Sequence, residues 1–258
     1  MIKAIYRKFK KYYQRFVRLE SVFYAGTKYT CPVCEGHFNS FKTYRGNSFI
    51  KGVKVDHTTK NYTCPKCGSG IRHRLVMGFL KSNVQLVTGK KNVLHFAPEE
   101  FITDYFNKFN NINYIKADID PSKYKNAIEL DITNIKLNDN SVDGIICIHV
   151  LEHIEDDLKA ISELSRILVS GGWLLLALPI YGNQTFELKN LTAKEREFQY
   201  GIDQHMRLNG LDLQNKLEKA GFKVQIISTG DLPGSYFDLT LNTPHSESDK
   251  YLFFCSKA

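Results

Sequence analysis

Two cysteine pairs, Cys31-Pro32-Val33-Cys34 and Cys64-Pro65-Lys66-Cys67, each set two thiols on a tight turn at a spacing that lets both reach one ion. Together they supply the four soft ligands of a closed, structural zinc site, which leaves His37, His57 and His73 unneeded as ligands. A disulfide pair is the alternative, and a reducing cytoplasm disfavours it. Cys147 and Cys255 fall in apolar runs and read as buried residues. A second group, His149, Glu152 and His153, follows the apolar run 142–148, and either imidazole could act as a general base near neutral pH. His149 is the nearer to the expected cleft; His153 reads first as a helix-start residue, and a divalent ion held by the trio ranks below both readings. A third group, Asp203, His205 and Arg207, alternates in a polar segment. Alternate residues of an extended chain share a face, and an acid, an imidazole and a guanidinium together suit a hydroxylated or anionic acceptor. A surface salt-bridge cluster is the plain alternative. His149, Asp203 and His205 are thus the catalytic candidates, with Arg207 for acceptor binding.

These groups need a scaffold, and hydrophobic periodicity outlines one. A helix is predicted over 71–84, a strand over 93–96, a helix over 98–109, a strand over 114–117, a strand over 142–148 and a helix over 156–168. Gly171 and Gly172 are expected to close that last helix and lead into a strand over 173–178. A helix over 211–220 and strands over 223–228 and 250–256 complete the pattern. Such alternation predicts a doubly wound, Rossmann-like, mostly parallel α/β sheet, with ligands at the carboxyl ends of its central strands. The first strand-to-helix turn is His95-Phe96-Ala97-Pro98-Glu99-Glu100, which has none of the usual glycines. Pro98 suits a first helical position, and Glu99 and Glu100 suit a helix N-terminus, although Glu99 could also meet a ligand's ammonium group. Arg72 and Arg74 open a helix against its dipole, so each is expected to answer a carboxylate or another anion.

About twenty residues beyond that turn, Asp118 ends a strand where a carboxylate can reach a ribose diol. Asp131 ends a further short strand. The stretch from Asp139 to Ile154, with the following helix and Gly171-Gly172-Trp173-Leu174-Leu175-Leu176-Ala177-Leu178-Pro179, resembles the class I S-adenosylmethionine-dependent methyltransferases. The resemblance covers about residues 90 to 258 and is most specific from Asp118 to Pro179; the glycine-free turn is its departure. It implies a class I methyltransferase fold with S-adenosylmethionine as cofactor. It implies too that Asp118 binds the ribose hydroxyls, that Asp131 meets the adenine amino group with Ile132 beside the ring, and that Phe96, Ala97 and Glu99 lie by the methionine portion. The order of cysteine pairs, Arg72-His73-Arg74, the 95–99 turn and Asp203-Gln204-His205-Met206-Arg207 is similar to a bacterial branch of these enzymes associated with surface-glycan or secondary metabolism. A small-molecule or glycan acceptor follows from that association. An RNA methyltransferase that grips phosphate with the zinc module, or a non-catalytic zinc-dependent scaffold, are the competing readings. A nicotinamide dehydrogenase is disfavoured, because its pyrophosphate demands the missing glycines.

The chain has 258 residues, 43% hydrophobic and 24% charged, room for one α/β domain and a small module. The expected division is a basic amphipathic helix over 1–26, a zinc-binding module over 27–70 and a methyltransferase domain over 71–258. Much of the net charge of +8 sits in the opening segment, where Ile2, Ile5, Phe9, Tyr12, Tyr13, Phe16, Leu19 and Phe23 recur at helical spacing. This stripe packs either on the protein itself or on an anionic membrane surface through residues 1–23. Without a signal-like leader or an apolar run of spanning length, a cytoplasmic protein is expected, peripheral at the inner membrane surface if the helix docks there.

Overall fold

The computed structural model describes residues 20–237 and 248–258; of the amphipathic helix read over 1–26, residues 1–19 lie outside them, and Ala25 and Gly26 belong not to a helix but to a strand. The segment 25–70 forms three two-stranded antiparallel sheets. β1 (Ala25–Thr30) pairs with β2 (His37–Phe38), β3 (Lys42–Tyr44) with β6 (Thr59–Thr63), and β4 (Asn47–Ile50) with β5 (Val53–Asp56). Its own core is small: Tyr29, Phe38 and Phe41 gather with Cys31 and Cys64. So few apolar residues cannot offset the entropy of ordering this segment, which therefore depends on a cross-link or a neighbour.

The larger unit begins with α1 (Ile71–Ser82) and continues through β7 (Lys91–Phe96), α2 (Glu100–Phe106), β8 (Ile112–Asp118), β9 (Ala127–Glu129), β10 (Val142–Ile148), α3 (Asp157–Ile167), β11 (Leu168–Ala177), α4 (Ala193–Tyr200), α5 (Leu213–Lys219), β12 (Phe222–Ser228) and β13 (Tyr251–Lys257). Seven strands form one sheet in the order β12-β13-β11-β10-β7-β8-β9. All pairings are parallel except those of β13, which runs antiparallel between β11 and β12. This is the doubly wound, mostly parallel α/β sheet that the alternation of strands and helices predicts.

Strands buried on both faces must be apolar at nearly every position, and the central ones are. Along β10, Ile145 and Cys147 enter one core with Leu94, Leu174, Leu176 and α3, while Ile146 and Ile148 enter the other with Val93, Leu175, α1 and α2. Gly144 is required here, since a Cβ would lie 2.3 Å from the Trp173 ring. α3 starts where the Asp156 side chain accepts the Lys159 N–H, and buries Ala160, Ile161, Leu164 and Ile167 against the sheet.

One local expectation fails. Gly171 and Gly172 do not end the helix; they lie inside β11, which starts at Leu168 directly after α3. Val142 pairs with Leu168 but Gly144 with Trp173, so the extra residues bulge out of the ladder, and Gly171 takes the left-handed φ of 73° that the bulge requires. Among the described residues no helix is long and apolar enough to cross a membrane.

The strand order reverses between β7 and β10. From β7 the chain steps outward to β8 and β9, then returns to the other side of β7 with β10 and β11. In open sheets of this kind, ligands bind in the crevice where loops diverge at such a switch point, which here falls at the carboxyl ends of β7 and β10. A separate depression lined by Lys90, Asn92, Asn110, Asn113 and Asp143 lies at the opposite, amino end of these strands, away from the loops that could hold a cofactor.

Candidate functional site

The two cysteine turns are built alike. Cys31 N–H donates to Gly36 O and Cys31 O accepts from Glu35 N–H; Cys64 N–H donates to Ser69 O and Cys64 O accepts from Gly68 N–H. Glu35 and Gly68 take left-handed φ values of 56° and 76° at equivalent positions. The turns bring all four sulfurs within 4.8 Å of one another, with Cys31 to Cys67 and Cys34 to Cys64 both at 3.7 Å. Tetrahedral bonds of about 2.3 Å to one zinc ion would put sulfurs about 3.8 Å apart. None of the four is in a disulfide. Ser69 Oγ lies 3.2 Å from Cys31 Sγ and from Cys67 Sγ, a hydroxyl placed to hydrogen-bond two thiolates. His37 bonds Thr30, His57 bonds Ser48 and His73 faces Glu99, so none of these imidazoles joins the sulfurs.

At the switch point, the residues just past β7 and β10 both have left-handed backbone: Ala97 at φ 48° and His149 at φ 52°. Ala97 N–H donates to Ala117 O and His149 N–H to Ala177 O, so each turn is held by the neighbouring strand. The glycine-free turn thus adopts the conformation that glycine usually supplies, with Phe96 buried beneath it. Glu99 caps α2 and meets two side chains delivered by α1, Arg72 at 3.5 Å and His73 Nε2 at 3.4 Å. Gly70 N–H donates to His73 Nδ1, which leaves the ring proton on Nε2, aimed at the carboxylate. Burial acts to raise the Glu99 carboxyl, but His73 and Arg72 outweigh it and hold it below the usual carboxylate range. Its Oε2 is buried without a hydrogen-bond partner.

Asp118 ends β8, and its Oδ1 accepts the Asp120 N–H at 2.8 Å, which fixes the carboxylate's orientation. Asp131 lies on the surface, its Oδ1 engaged by the N–H and hydroxyl of Thr133 at 2.8 Å each. Ile132 is buried among Leu130, Ile135 and the sheet core. Arg74 differs from Arg72 in meeting no carboxylate. It is buried, donates to the carbonyls of Tyr62, Ser69 and Tyr236, and stacks 4.3 Å over Phe41, joining α1 to the cysteine module.

Past β10, Glu152 is the residue that sequence reasoning undervalued. It is 1% exposed, with His149 Nδ1 at 3.2 Å and His153 Nε2 at 4.0 Å from its Oε1. Burial would raise this carboxyl, but His149 and His153 beside it more than offset that and keep it low. His205 is buried against the same group, its ring centroid 5.0 Å from that of His153. Burial drives the His205 imidazole down to about 4, so it is neutral at pH 7.

The expected common face of Asp203, His205 and Arg207 does not form. The chain turns at 201–205, with His205 N–H donating to Ile202 O, so extended-strand alternation does not apply. Asp203 is exposed, while His205 and Arg207 are buried. The Arg207 guanidinium donates to Ile154 O, Glu155 O and Glu187 and lies 3.5 Å from Asp157. It clamps the loop after β10 to the 204–208 segment. The 47–56 hairpin reaches the same region: Lys51 N–H and Gly52 N–H donate to Gln199 O and Phe198 O at the end of α4, and Phe49 packs on Phe198.

Residues 67–176 match the family model described as a methyltransferase domain. No curated protein matches the chain. Among solved structures the chain is similar to a SAM-dependent methyltransferase from Archaeoglobus fulgidus, at 16% identity over 73% of this chain and 95% of that one, with a TM-score of 0.48. It is similar also to the YcgJ protein from Bacillus subtilis, at 14% identity over 69% and 97%, with a TM-score of 0.45. A third is a proposed sarcosine dimethylglycine methyltransferase from Galdieria sulphuraria, at 15% identity over 59% of this chain with a TM-score of 0.48; the chain spans 62% of that protein. The family match runs through β7, β8 and β10 and across most of β11, and so covers the strands and turns at the switch point.

Proposed function

We propose that the chain is an S-adenosylmethionine-dependent methyltransferase acting on a small-molecule or glycan acceptor, with a structural zinc ion held by Cys31, Cys34, Cys64 and Cys67. The observation that carries the reading is the pair of left-handed turns at the switch point, set beside oriented carboxylates with unspent oxygens. Bound there, S-adenosylmethionine supplies an electrophilic methyl group on a sulfonium centre. The protein has to align the acceptor with it and keep bulk water out. Glu99 Oε2, buried and unpartnered, suits the ammonium group of the methionine portion, with Phe96 and Ala97 beside it. Asp118 Oδ2 suits the ribose hydroxyls, since Oδ1 is already committed to the backbone. Asp131 keeps its Oδ2 for the adenine amino group. The cysteine geometry fits a closed four-thiolate ion, and the scant apolar core of 27–70 gives that ion a folding role.

An acceptor other than RNA is favoured by the state of the module's aromatic residues. Tyr29, Phe38 and Phe41 are buried in its core, and Tyr44 packs on Tyr62, so they do not form a platform on which bases could stack. Calorimetric titration with S-adenosylmethionine tests the cofactor directly. The wild-type protein should bind it, and Asp118→Ala should weaken binding ten- to a hundredfold, by about 1.5–3 kcal/mol for the loss of a charged acceptor. Absence of binding by the wild type would leave a zinc-dependent scaffold as the better reading.

A further inference from the structure

We propose a second metal site: Glu152, His153 and His205 hold a divalent transition-metal ion at the mouth of the crevice, apart from the four-cysteine site. The ligand atoms of these three residues all lie within 4.8 Å of one another. Two imidazole nitrogens and one carboxylate oxygen are the donor set of open catalytic sites, which keep one or more positions for water or a substrate oxygen. Bonds of about 2.0–2.1 Å in a tetrahedral arrangement would set ligand atoms about 3.4 Å apart, so at most an ångström or so of side-chain movement closes the cluster on an ion.

Two features single this cluster out from an ordinary buried ion pair. Both carboxylate oxygens of Glu152 and Nδ1 of His205 are buried without a hydrogen-bond partner. His149 Nδ1 lies 3.2 Å from Oε1 and helps to hold the carboxyl low, but the contact is poorly aligned, and Oε2 has no partner. A carboxylate almost wholly removed from water, with one oxygen unpartnered and the other met only by a poorly aligned imidazole, is costly unless a further cation meets it. The imidazoles, moreover, are oriented as metal ligands require. His153 Nδ1 stands 3.2 Å from Gln204 O and donates its proton there, which leaves the Nε2 lone pair facing Glu152. The two ligand segments are tied together at the backbone by Met206 N–H on Glu152 O, and the Arg207 clamp on Ile154 O and Glu155 O locks them again.

His149, the first residue past β10, lies 3.2 Å from Glu152, so the cluster stands beside the carboxyl end of the central strand, where the acceptor must lie. The acceptor class it favours is one that offers an oxygen ligand, a vicinal diol, a hydroxy acid or a phenol, whose hydroxyl a bound divalent ion makes easier to deprotonate. This assignment of the acceptor rests on the methyltransferase reading. The metal site itself does not.

The test uses the full chain and Co²⁺ as probe, with no methyl donor present. Wild-type protein should take up two equivalents per chain, one with intense thiolate-to-metal charge-transfer absorption and one with only the weak bands of nitrogen and oxygen ligation. His205→Asn and Glu152→Gln should each retain the thiolate-bound equivalent and lose the other. Uptake of one equivalent by the wild type, or a second equivalent that survives in His205→Asn, overturns the proposal. Should Glu152→Gln fail to fold, His205→Asn together with wild-type stoichiometry still decides. Two equivalents without S-adenosylmethionine binding would uphold the metal site and sink the methyltransferase reading instead.

Discussion

Ala97 shows how one side chain can satisfy a turn that glycine ordinarily makes. Its left-handed φ of 48° costs an L-residue roughly 1–2 kcal/mol, more than the entropic penalty of about 0.5–1 kcal/mol that glycine would bring. Ala97→Gly should therefore raise stability by about 0.5–1 kcal/mol in denaturant titration, and a lowered midpoint would show that the methyl group's packing outweighs the strain. His95, two residues earlier and within β7, is fully buried, with Nδ1 2.5 Å from the Tyr114 hydroxyl. Burial pushes its imidazole down to about 3, whereas an unfolded histidine titrates near 6.5. Because the folded value is depressed, the unfolded chain takes up a proton that the folded chain refuses as pH falls from about 6.5 toward 3. Stability is thus full above pH 6.5 and declines below it, by on the order of 2–3 kcal/mol at pH 4.5. His95→Gln should flatten that part of the stability–pH curve; equal slopes in both proteins would assign the acid loss to other groups.

At the scale of elements, the loops beside the switch point are held by contacts between segments rather than by their own local structure. Arg207 joins the loop after β10 to the 204–208 segment through two backbone carbonyls and Glu187, beside an Asp157 that Lys216 also meets at 2.6 Å. With its fork spent on these partners, it acts as a positioning residue. Arg207→Ala strands buried acceptors and should cost about 3–5 kcal/mol of stability, read as a lowered denaturation midpoint, while S-adenosylmethionine affinity in the folded fraction stays close to wild type. A variant of normal stability with a raised KM for the acceptor would return Arg207 to substrate binding. Local pattern also misled at β11, where a Gly-Gly pair that reads as a helix stop serves a bulge within the strand.

Across the whole molecule, the cysteine module touches both rims of the crevice. Arg74 and Phe41 join it to α1, which delivers Arg72 and His73 to Glu99, and its 47–56 hairpin docks on α4, just ahead of His205. Cys64→Ser should abolish the four-thiolate site and make residues 27–70 sensitive to trypsin, while the seven-stranded sheet, with its own two-sided core, stays folded. Limited proteolysis followed by mass spectrometry checks this, and resistance of the module in the metal-free variant would show that its contacts to α1 and α4 suffice without an ion.

Sequence alone determined what is local or strictly periodic. The four-cysteine cluster follows from two-residue spacings, and β7, β10 and α3 follow from apolar runs whose burial the hydrophobic effect enforces wherever the chain places them. The carboxylate at the end of β8 was legible for the same reason, since its position follows from where the strand stops. Tertiary structure decided everything that depends on two distant segments meeting. It set β13 antiparallel between β11 and β12, turned Arg72 and His73 toward Glu99, spent the Arg207 guanidinium internally, and brought His205 to Glu152 and His153. Burial of a charge and the partner that answers it are properties of packing, and packing joins residues that no spacing rule along the chain relates.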